Sequence, residues 1–435
     1  MRVTPLARAV TAAGALLVLA GSPVMAQAQS AAKIDPADTA WMITATALVL
    51  MMSIPGLALF YAGMVRKKNV LATMAQTLAV TALCSILWAA IGYTLAFTGD
   101  GPAVGTLGRV LLRGVTMTAI SPLAKTIPEA LFMIYQMTFA VITVALVAGS
   151  VADRMRFSAF IWFAALWLIV VYAPIAHWVW GGGFLQSAGV LDFAGGTVVH
   201  LNAGVAGLVA ASVIGARHGY GNDNFAPYDL SLAVIGTGML WVGWFGFNGG
   251  SALAANSHAV FAIVSTHLAA SAGALTWMAL EWWTRGKPSV LGMISGAIAG
   301  LGTITPASGF VLPWQGIAIG LIAGLVCFWS CTLLKLACGY DDSLDVFGVH
   351  GIGGATGTLL VGVFAARTVG GTSGLLEGNG IQFVTQFYGV AITAAWSGIA
   401  TFVLLKVISV FVPLRVDKQS EILGLDVTQH GEALQ

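Results

Sequence analysis

Long apolar stretches constrain the fold of this chain more than any other feature. Segments such as residues 128–152 and 381–413 contain hardly a charge, and about 20 apolar residues in a helix cross the hydrocarbon core of a bilayer. With 58% hydrophobic and 8% charged residues, the composition excludes a soluble globular protein, since such proteins are about a quarter charged. The alternation of a transmembrane β-barrel is absent. The pattern predicts an all-α polytopic membrane protein.

Eleven transmembrane helices are predicted from these stretches. They lie at roughly 39–63, 70–97, 128–152, 157–180, 197–216, 229–252, 257–283, 289–304, 313–337, 344–365 and 381–413. Loops on one side, together with the tail, hold eleven lysines and arginines, whereas the other side holds five. Because positive charge is retained in the cytoplasm, the N-terminus is predicted outside and the C-terminus inside. The membrane domain then spans residues 29–413, and residues 414–435 form a cytoplasmic tail.

The first 28 residues have the pattern of a cleavable signal peptide. Arg2 and Arg8 precede the short apolar run ALLVLA, and the small residues VMAQAQS follow, with cleavage expected after Ala26 or Ala28. Such a signal predicts the cytoplasmic (inner) membrane of a bacterium. Its removal leaves 17 basic and 17 acidic residues, a balance that does not suggest a nucleic-acid partner.

One motif occurs twice. DFAGGTVVHLNAGVAG begins at Asp192, and DVFGVHGIGGATG begins at Asp345; in each, glycines follow the histidine, His200 or His350, at +4 and +7. The two copies start predicted helices 5 and 10, which have opposite orientations in the membrane. This spacing predicts a 5+5 inverted repeat with its functional site at the repeat interface, and a long extra final helix. The histidines can meet only if both helices begin deep in the bundle.

Ionisable groups at membrane depth usually mark a pathway, because inserting a charge there costs roughly 2.5–3.5 kcal/mol. His200 and His350 are therefore candidates for pore lining or proton relay; the alternative is two buried histidines, each bonded to a carbonyl. A metal site is disfavoured, because no further ligands accompany them in the repeats. Asp192 either caps the start of helix 5 or holds a cation by its field, and the cap is the favoured interpretation; Asp345 is interpreted in the same way.

Aromatic residues gather towards the outer ends of helices 3, 4 and 6, beside Ser251. An interfacial aromatic belt is one explanation. The other is a neutral cage for a small cation, each cation–π contact being worth about 0.5–2 kcal/mol. The aromatic residues are Tyr135, Phe139, Trp178, Trp180, Trp244 and Phe247.

Four stretches, DFAGGTVVHLNAGVAGLVAASVIGAR, WFGFNGGSAL, DVFGVHGIGG and IPGLALFYAGMVRKKNV, resemble the ammonium transporter (Amt/Mep/Rh) family, in particular its bacterial Amt branch. The resemblance runs from about Trp41 to the tail. It implies a homotrimer in which each protomer has its own narrow apolar pore for ammonium and methylammonium. The tail resembles the family region that meets PII-type signal proteins, which implies a PII partner.

The resemblance also assigns roles by position. Phe139, Trp180 and Ser251 match the outer ammonium-binding site, with Asp192 supporting it. Phe139 and Phe247 match the stacked gate, while His200 and His350 match the twin pore histidines. Trp244 matches a pore-wall residue, and so does Tyr135, where many bacterial members have phenylalanine. No metal, cofactor or catalytic residue is implied.

The predicted function is selective ammonium uptake rather than enzymatic catalysis. Loss of a proton removes the charge penalty of the apolar pore, so that ammonia crosses while the proton follows through the histidine pair, whose neutral rings each have one donor and one acceptor. The sequence leaves open whether net charge moves. The alternatives are an ammonium sensor, an intramembrane metalloenzyme and an uncharged gas channel of Rh type.

Overall fold

The computed structural model describes residues 32–434; the predicted signal peptide lies outside this range. Ten of the described helices are long and apolar enough to cross a membrane, and an eleventh apolar helix is shorter. In chain order they are α1 Pro36–Met64, α2 Lys67–Phe97, α3 Glu129–Val151, α4 Phe157–Ser187, α5 Gly196–Ile214, α6 Leu230–Gly250, α7 Ser257–Arg285, α8 Val290–Ile304 (the shorter one), α9 Pro313–Cys338, α10 Phe347–Phe364 and α11 Gly380–Phe411.

Each of these helices overlaps one predicted span, so the prediction of an all-helical multi-pass membrane protein is confirmed. The largest differences are at α8, which has only 15 residues, and at α4, which bends at residues 181–183 and continues to Ser187. The orientation and the exact count of eleven spans remain predictions.

The tail packs against the bundle and defines one of its ends. The Arg156 amide donates to Leu414 O (2.9 Å), and the Val416 amide donates to Arg154 O (3.1 Å). A short helix, α12 Lys418–Leu423, follows, and the Asp426 carboxylate then accepts the Ala72 amide at 2.8 Å. Since α4 runs from this end to Trp180, we name the two ends the tail side and the vestibule side. A small hairpin, β1 Ile120–Ser121 and β2 Ala124–Pro128, precedes α3 on the vestibule side.

Glycines allow helices α7, α8 and α9 to pack backbone against backbone. A Cβ on Gly300 of α8 would lie 2.3 Å from Ala269 O of α7, and a Cβ on Gly320 of α9 would lie 2.3 Å from the same atom. Both distances are far below an ordinary van der Waals contact. The glycine stripes of α8 and α9 are therefore packing faces, as in other membrane bundles.

Wide helical turns recur at equivalent places in the two halves of the chain. Helices α4 and α9 contain them at Leu168–Tyr172 and Ser330–Leu334, and α5 and α10 begin with them at Gly196–Leu201 and Phe347–Gly351. The members of each pair are five helices apart in the chain order, with four helices between them, which agrees with the predicted 5+5 inverted repeat. A further wide turn, Met52–Leu57, surrounds Pro55, where the sequence predicts a kink.

Candidate functional site

Three cavities follow one another from the vestibule side to the tail side. The first is lined by residues that include Phe139, Trp180 and Ser251. The second, narrow and almost wholly apolar, is lined by Phe247, Trp244 and the two histidines. The third opens towards the tail side and shares His350 with the second. The three cavities together form an interrupted path through the helix bundle.

Two aromatic rings and a hydroxyl face the first cavity, which we call the vestibule. Phe139 and Trp180 meet edge to face, with centroids 5.7 Å apart and ring planes at 87°. Ser251 follows the last residue of α6, and its Oγ donates to Phe247 O at 2.9 Å. The three side chains matched to an outer site by sequence therefore come from α3, α4 and the end of α6 and converge on one cavity.

Asp192 supports this wall from behind. Its carboxylate accepts four backbone N–H groups between Gly195 and Val198 at 2.7–3.2 Å, as well as the Thr197 hydroxyl. It therefore caps the first turn of α5, as predicted from its type and position. The link to the vestibule is made by its backbone, since Trp180 Nε1 donates to Asp192 O at 2.8 Å.

Stacked phenyl rings close the floor of the vestibule. The centroids of Phe139 and Phe247 are 4.2 Å apart and their planes are inclined by 28°; both side chains are buried. Phe139 faces the vestibule and Phe247 faces the second cavity. The pair therefore separates the two spaces, in the position expected for a gate.

Tyr135 lies behind the cavity wall rather than on it. The side chain is fully buried and is absent from the linings of the three cavities. Its hydroxyl is 2.9 Å from Phe247 O, 3.0 Å from Gly246 O and 3.4 Å from Ser251 Oγ. Tyr135 therefore contacts the lining residues Phe247 and Ser251 from behind, and the pore-wall role that the resemblance assigns to it stays a prediction.

His200 and His350 meet below the gate. Their Nδ1 atoms are 3.2 Å apart, and the rings are nearly parallel, with centroids separated by 5.2 Å. Because neutral imidazole has one donor and one acceptor nitrogen, one ring donates to the other across this contact. Trp244 stacks on His200 at 5.5 Å and is held through its Nε1, which donates to Thr305 Oγ1 at 2.8 Å.

The glycines of the repeated motif explain how the histidines meet. A Cβ on Gly204 would lie 2.2 Å from the Cα and N of Gly351, and one on Gly354 would lie 2.9 Å from His200 Cβ. Only glycine at both +4 positions lets α5 and α10 cross this closely. Both helices begin inside the bundle, as the meeting of the two histidines requires, since Asp192 before α5 and Asp342 before α10 are buried.

Asp345 is not the counterpart of Asp192, which corrects the interpretation from sequence. Its backbone is left-handed (φ 57°), and its carboxylate pairs with Lys335 at 2.7 Å. Asp342 takes the capping role instead, because its Oδ2 accepts the Phe347 amide at 2.7 Å. The sequence does carry the signal: Asp342 precedes His350 by eight residues, as Asp192 precedes His200.

An ion pair stands beside the third cavity on the tail side. Arg217, which lines that cavity, binds Asp341 with its guanidinium at 2.7 Å and with its backbone amide at 2.7 Å. Burial acts to raise the pKa of the Asp341 carboxyl, but the hydrogen bonds and charge of Arg217, with the charge of Arg154, together lower it by more, so that the pKa lies below its ordinary value. Within residues 32–434, no three His, Cys, Asp or Glu side chains gather as they would around a metal ion.

Comparison with known proteins identifies relatives of this chain. The sequence model described as Ammonium Transporter Family matches residues 40–434. The chain is 48% identical over 399 residues to an ammonium transporter of Bacillus subtilis, covering 91% of this chain and 97% of that one. It is also 48% identical over 407 residues to an ammonium transporter of Aquifex aeolicus, covering 93% and 94%.

A solved structure shows the same fold. The crystal structure of Candida albicans Mep2 superposes with a TM-score of 0.84 at 38% identity, covering 92% of this chain and 90% of that one. The match to the family model extends over nearly all of the described residues. The chain therefore belongs to the ammonium transporter family.

Proposed function

We propose that this chain carries ammonium across a bacterial cytoplasmic membrane by binding the cation in the vestibule and conducting ammonia through the apolar cavity. The observation that carries the proposal is the hydrogen-bonded histidine pair on the path between the second and third cavities. Family membership supports the substrate, since the B. subtilis and A. aeolicus relatives are named ammonium transporters. Neither a cofactor nor a catalytic residue takes part.

Recruitment depends on the aromatic faces and on Ser251. The rings of Phe139 and Trp180 attract a small cation, and each contact contributes about 0.5–2 kcal/mol. The Ser251 oxygen adds a hydrogen-bond acceptor for an N–H group of ammonium. The Asp192 carboxylate, capping α5 behind Trp180, contributes a negative field.

Conduction requires the cation to give up a proton. A charged ion in the second cavity would face a penalty of at least about 2.5 kcal/mol, because that space is lined almost wholly by apolar groups. Ammonium therefore gives one proton at the gate to Nε2 of His200, which has no hydrogen-bond partner among residues 32–434, and ammonia passes Phe139 and Phe247. The proton crosses through the Nδ1···Nδ1 contact of His200 and His350 and rejoins ammonia in the third cavity. One positive charge moves per cycle.

Reconstituted protein in liposomes tests this mechanism. Ammonium pulses are expected to give a saturable inward-positive current, and potassium pulses none. His200→Ala and His350→Ala are expected to abolish the current, whereas His267→Ala, which removes an exposed histidine from the middle of α7, is expected to retain it. Unchanged current and selectivity in both pore variants would overturn the proton route. Alkalinisation of the lumen without current in the wild type would show that neutral ammonia alone crosses.

Assembly and regulation complete the proposal. The protein forms a homotrimer with its N-terminus outside, transports methylammonium as well, and presents its cytoplasmic tail to a PII-type protein. The packing of residues 414–416 and Asp426 against the bundle supports a folded docking surface. Native mass spectrometry tests the trimer, cysteine labelling from each side tests the orientation, and pull-down with purified PII protein tests the partner.

A further inference from the structure

At the end of α6, one carbonyl group accepts hydrogen bonds from side chains instead of from a helical N–H group. The Ser251 amide donates to Asn248 O and Gly249 O instead of continuing the helical pattern to Phe247 O. Carbonyls in the last turn of a helix lack helical N–H partners and need others when they are buried. Phe247 O obtains two partners, the hydroxyls of Tyr135 and Ser251, each at 2.9 Å.

These two hydroxyls donate to the same carbonyl oxygen, that of Phe247. A carbonyl oxygen has two lone pairs, and a serine hydroxyl has one proton and two lone pairs. The single proton of Tyr135 is shared between Phe247 O and Gly246 O, and the Ser251 proton is directed to the remaining lone pair of Phe247 O. The lone pairs of Ser251 Oγ are then left for the vestibule, which Ser251 lines. Ser251 Oγ is therefore held as a hydrogen-bond acceptor, which suits a cation that carries N–H donors.

The local sequence gives this end of α6 little rigidity of its own. Gly246, Gly249 and Gly250 surround the carbonyls in question, and glycine imposes few backbone restraints. A Cβ on Gly250 would lie 2.5 Å from Tyr135 Oη, so glycine at this position makes room for the hydroxyl. The contacts of Tyr135 with Gly246 O and Phe247 O help to fix this segment, together with Trp41 Nε1, which donates to Gly249 O at 3.3 Å.

We infer that Tyr135 is a positioning residue that sets the affinity of the vestibule for ammonium by holding Ser251 as a hydrogen-bond acceptor. The inference rests on the proposed function of the vestibule. Tyr135 does not touch the substrate: it lies behind the wall, buried from the path. Its effect on transport passes through Ser251, which makes the effects of the two residues non-additive.

Four variants in the same liposome assay test the inference: Tyr135→Phe, Ser251→Ala, the double variant and Tyr172→Phe. The last is a matched control, because Tyr172 is also fully buried and lines none of the three cavities. Tyr135→Phe is expected to raise the half-saturating ammonium concentration about fivefold, the effect of one hydrogen bond, with the maximal current unchanged. Tyr172→Phe is expected to match the wild type.

The double variant separates a positioning role from a merely structural one. If Tyr135 acts through Ser251, the double variant is expected to have the half-saturating concentration of Ser251→Ala alone. Multiplied effects, or a wild-type value in Tyr135→Phe, would overturn the inference while leaving ammonium transport intact. Absence of saturable ammonium current in the wild type would overturn the proposed function itself.

Gly250→Ala provides an independent test that applies even if Tyr135→Phe does not fold. Gly250→Ala keeps the tyrosine but pushes its hydroxyl away from the end of α6, given the 2.5 Å approach. It is expected to raise the half-saturating concentration in the same direction, with thermal unfolding confirming that the protein is folded. A folded Gly250→Ala protein with wild-type affinity would also overturn the inference.

Discussion

Gly204→Ala breaks the histidine pair without changing either imidazole. Gly204 of α5 crosses α10 at Gly351, the residue that follows His350. An added Cβ would lie 2.2 Å from Gly351 Cα and N, whereas ordinary contacts begin at 3.4 Å. Because both obstructing atoms belong to the backbone, no side-chain rotation relieves the clash. The two helices must therefore separate by about 1.2 Å at this point.

This separation exceeds what the histidine contact can absorb. The Nδ1 atoms are 3.2 Å apart, already near the upper limit of about 3.2 Å for a nitrogen hydrogen bond. Moving one ring by about 1.2 Å along the contact gives roughly 4.4 Å, at which distance no direct bond remains. The cost to folding is about 1–3 kcal/mol, as for other overpacked sites, so the protein is expected to fold with the proton route interrupted.

Gly207→Ala is the matched control on the same helix. Its Cβ would also meet an atom at 2.2 Å, but that atom is the hydroxyl oxygen of Ser150, which has no hydrogen-bond partner among the described residues and can rotate away. In liposomes, Gly204→Ala is expected to lose ammonium current and Gly207→Ala to retain most of it. Wild-type current in a folded Gly204→Ala protein, or equal losses in both, would refute the reasoning.

Three further predictions concern the carboxylates. Asp192→Asn is expected to lower the free energy of unfolding by about 2–5 kcal/mol, because the side-chain NH2 group of asparagine would face backbone N–H groups that the carboxylate now accepts. An unchanged thermal midpoint would contradict this. Asp342→Ala is expected to lower the free energy of unfolding by about 0.5–2 kcal/mol, because a helix cap is lost. Asp345→Asn is expected to lower it by less than about 1 kcal/mol, because the partly exposed carboxylate of Asp345 bonds only Lys335 among the described residues. A larger loss in Asp345→Asn than in Asp342→Ala, measured by thermal unfolding, would contradict this ranking. Asp341→Asn is expected to cost about 3–5 kcal/mol at neutral pH. Since the folded pKa of Asp341 is lowered, its contribution is present above the ordinary carboxyl pKa and is lost as the pH falls through the folded value. Unfolding measured from neutral to acidic pH should therefore show the gap between wild type and variant closing, and a constant gap would count against the pairing.

Sequence reasoning located most of the candidate site because its residues have types that are rare at membrane depth. His200 and His350 were found from a repeated motif, and the structure brings them into contact. Asp345 was misassigned because adjacency to the second motif was given more weight than its spacing from the histidine. The resemblance assigns Tyr135 to the pore wall by its position in the chain, which does not give the number of layers between a side chain and a cavity.

The sequence by itself determined that the chain spans a membrane as helices and that it belongs to the ammonium transporter family. Both properties follow from the order of residues: apolar runs must satisfy their backbone groups internally in lipid, and the motifs are contiguous. The tertiary structure alone decided which groups meet. The 3.2 Å histidine contact, the cap at Asp342 and the shared carbonyl of Tyr135 and Ser251 join residues from different helices or depend on local backbone conformation. These distances depend on how closely the helix backbones approach one another, to within an ångström. Helix periodicity does not specify that approach.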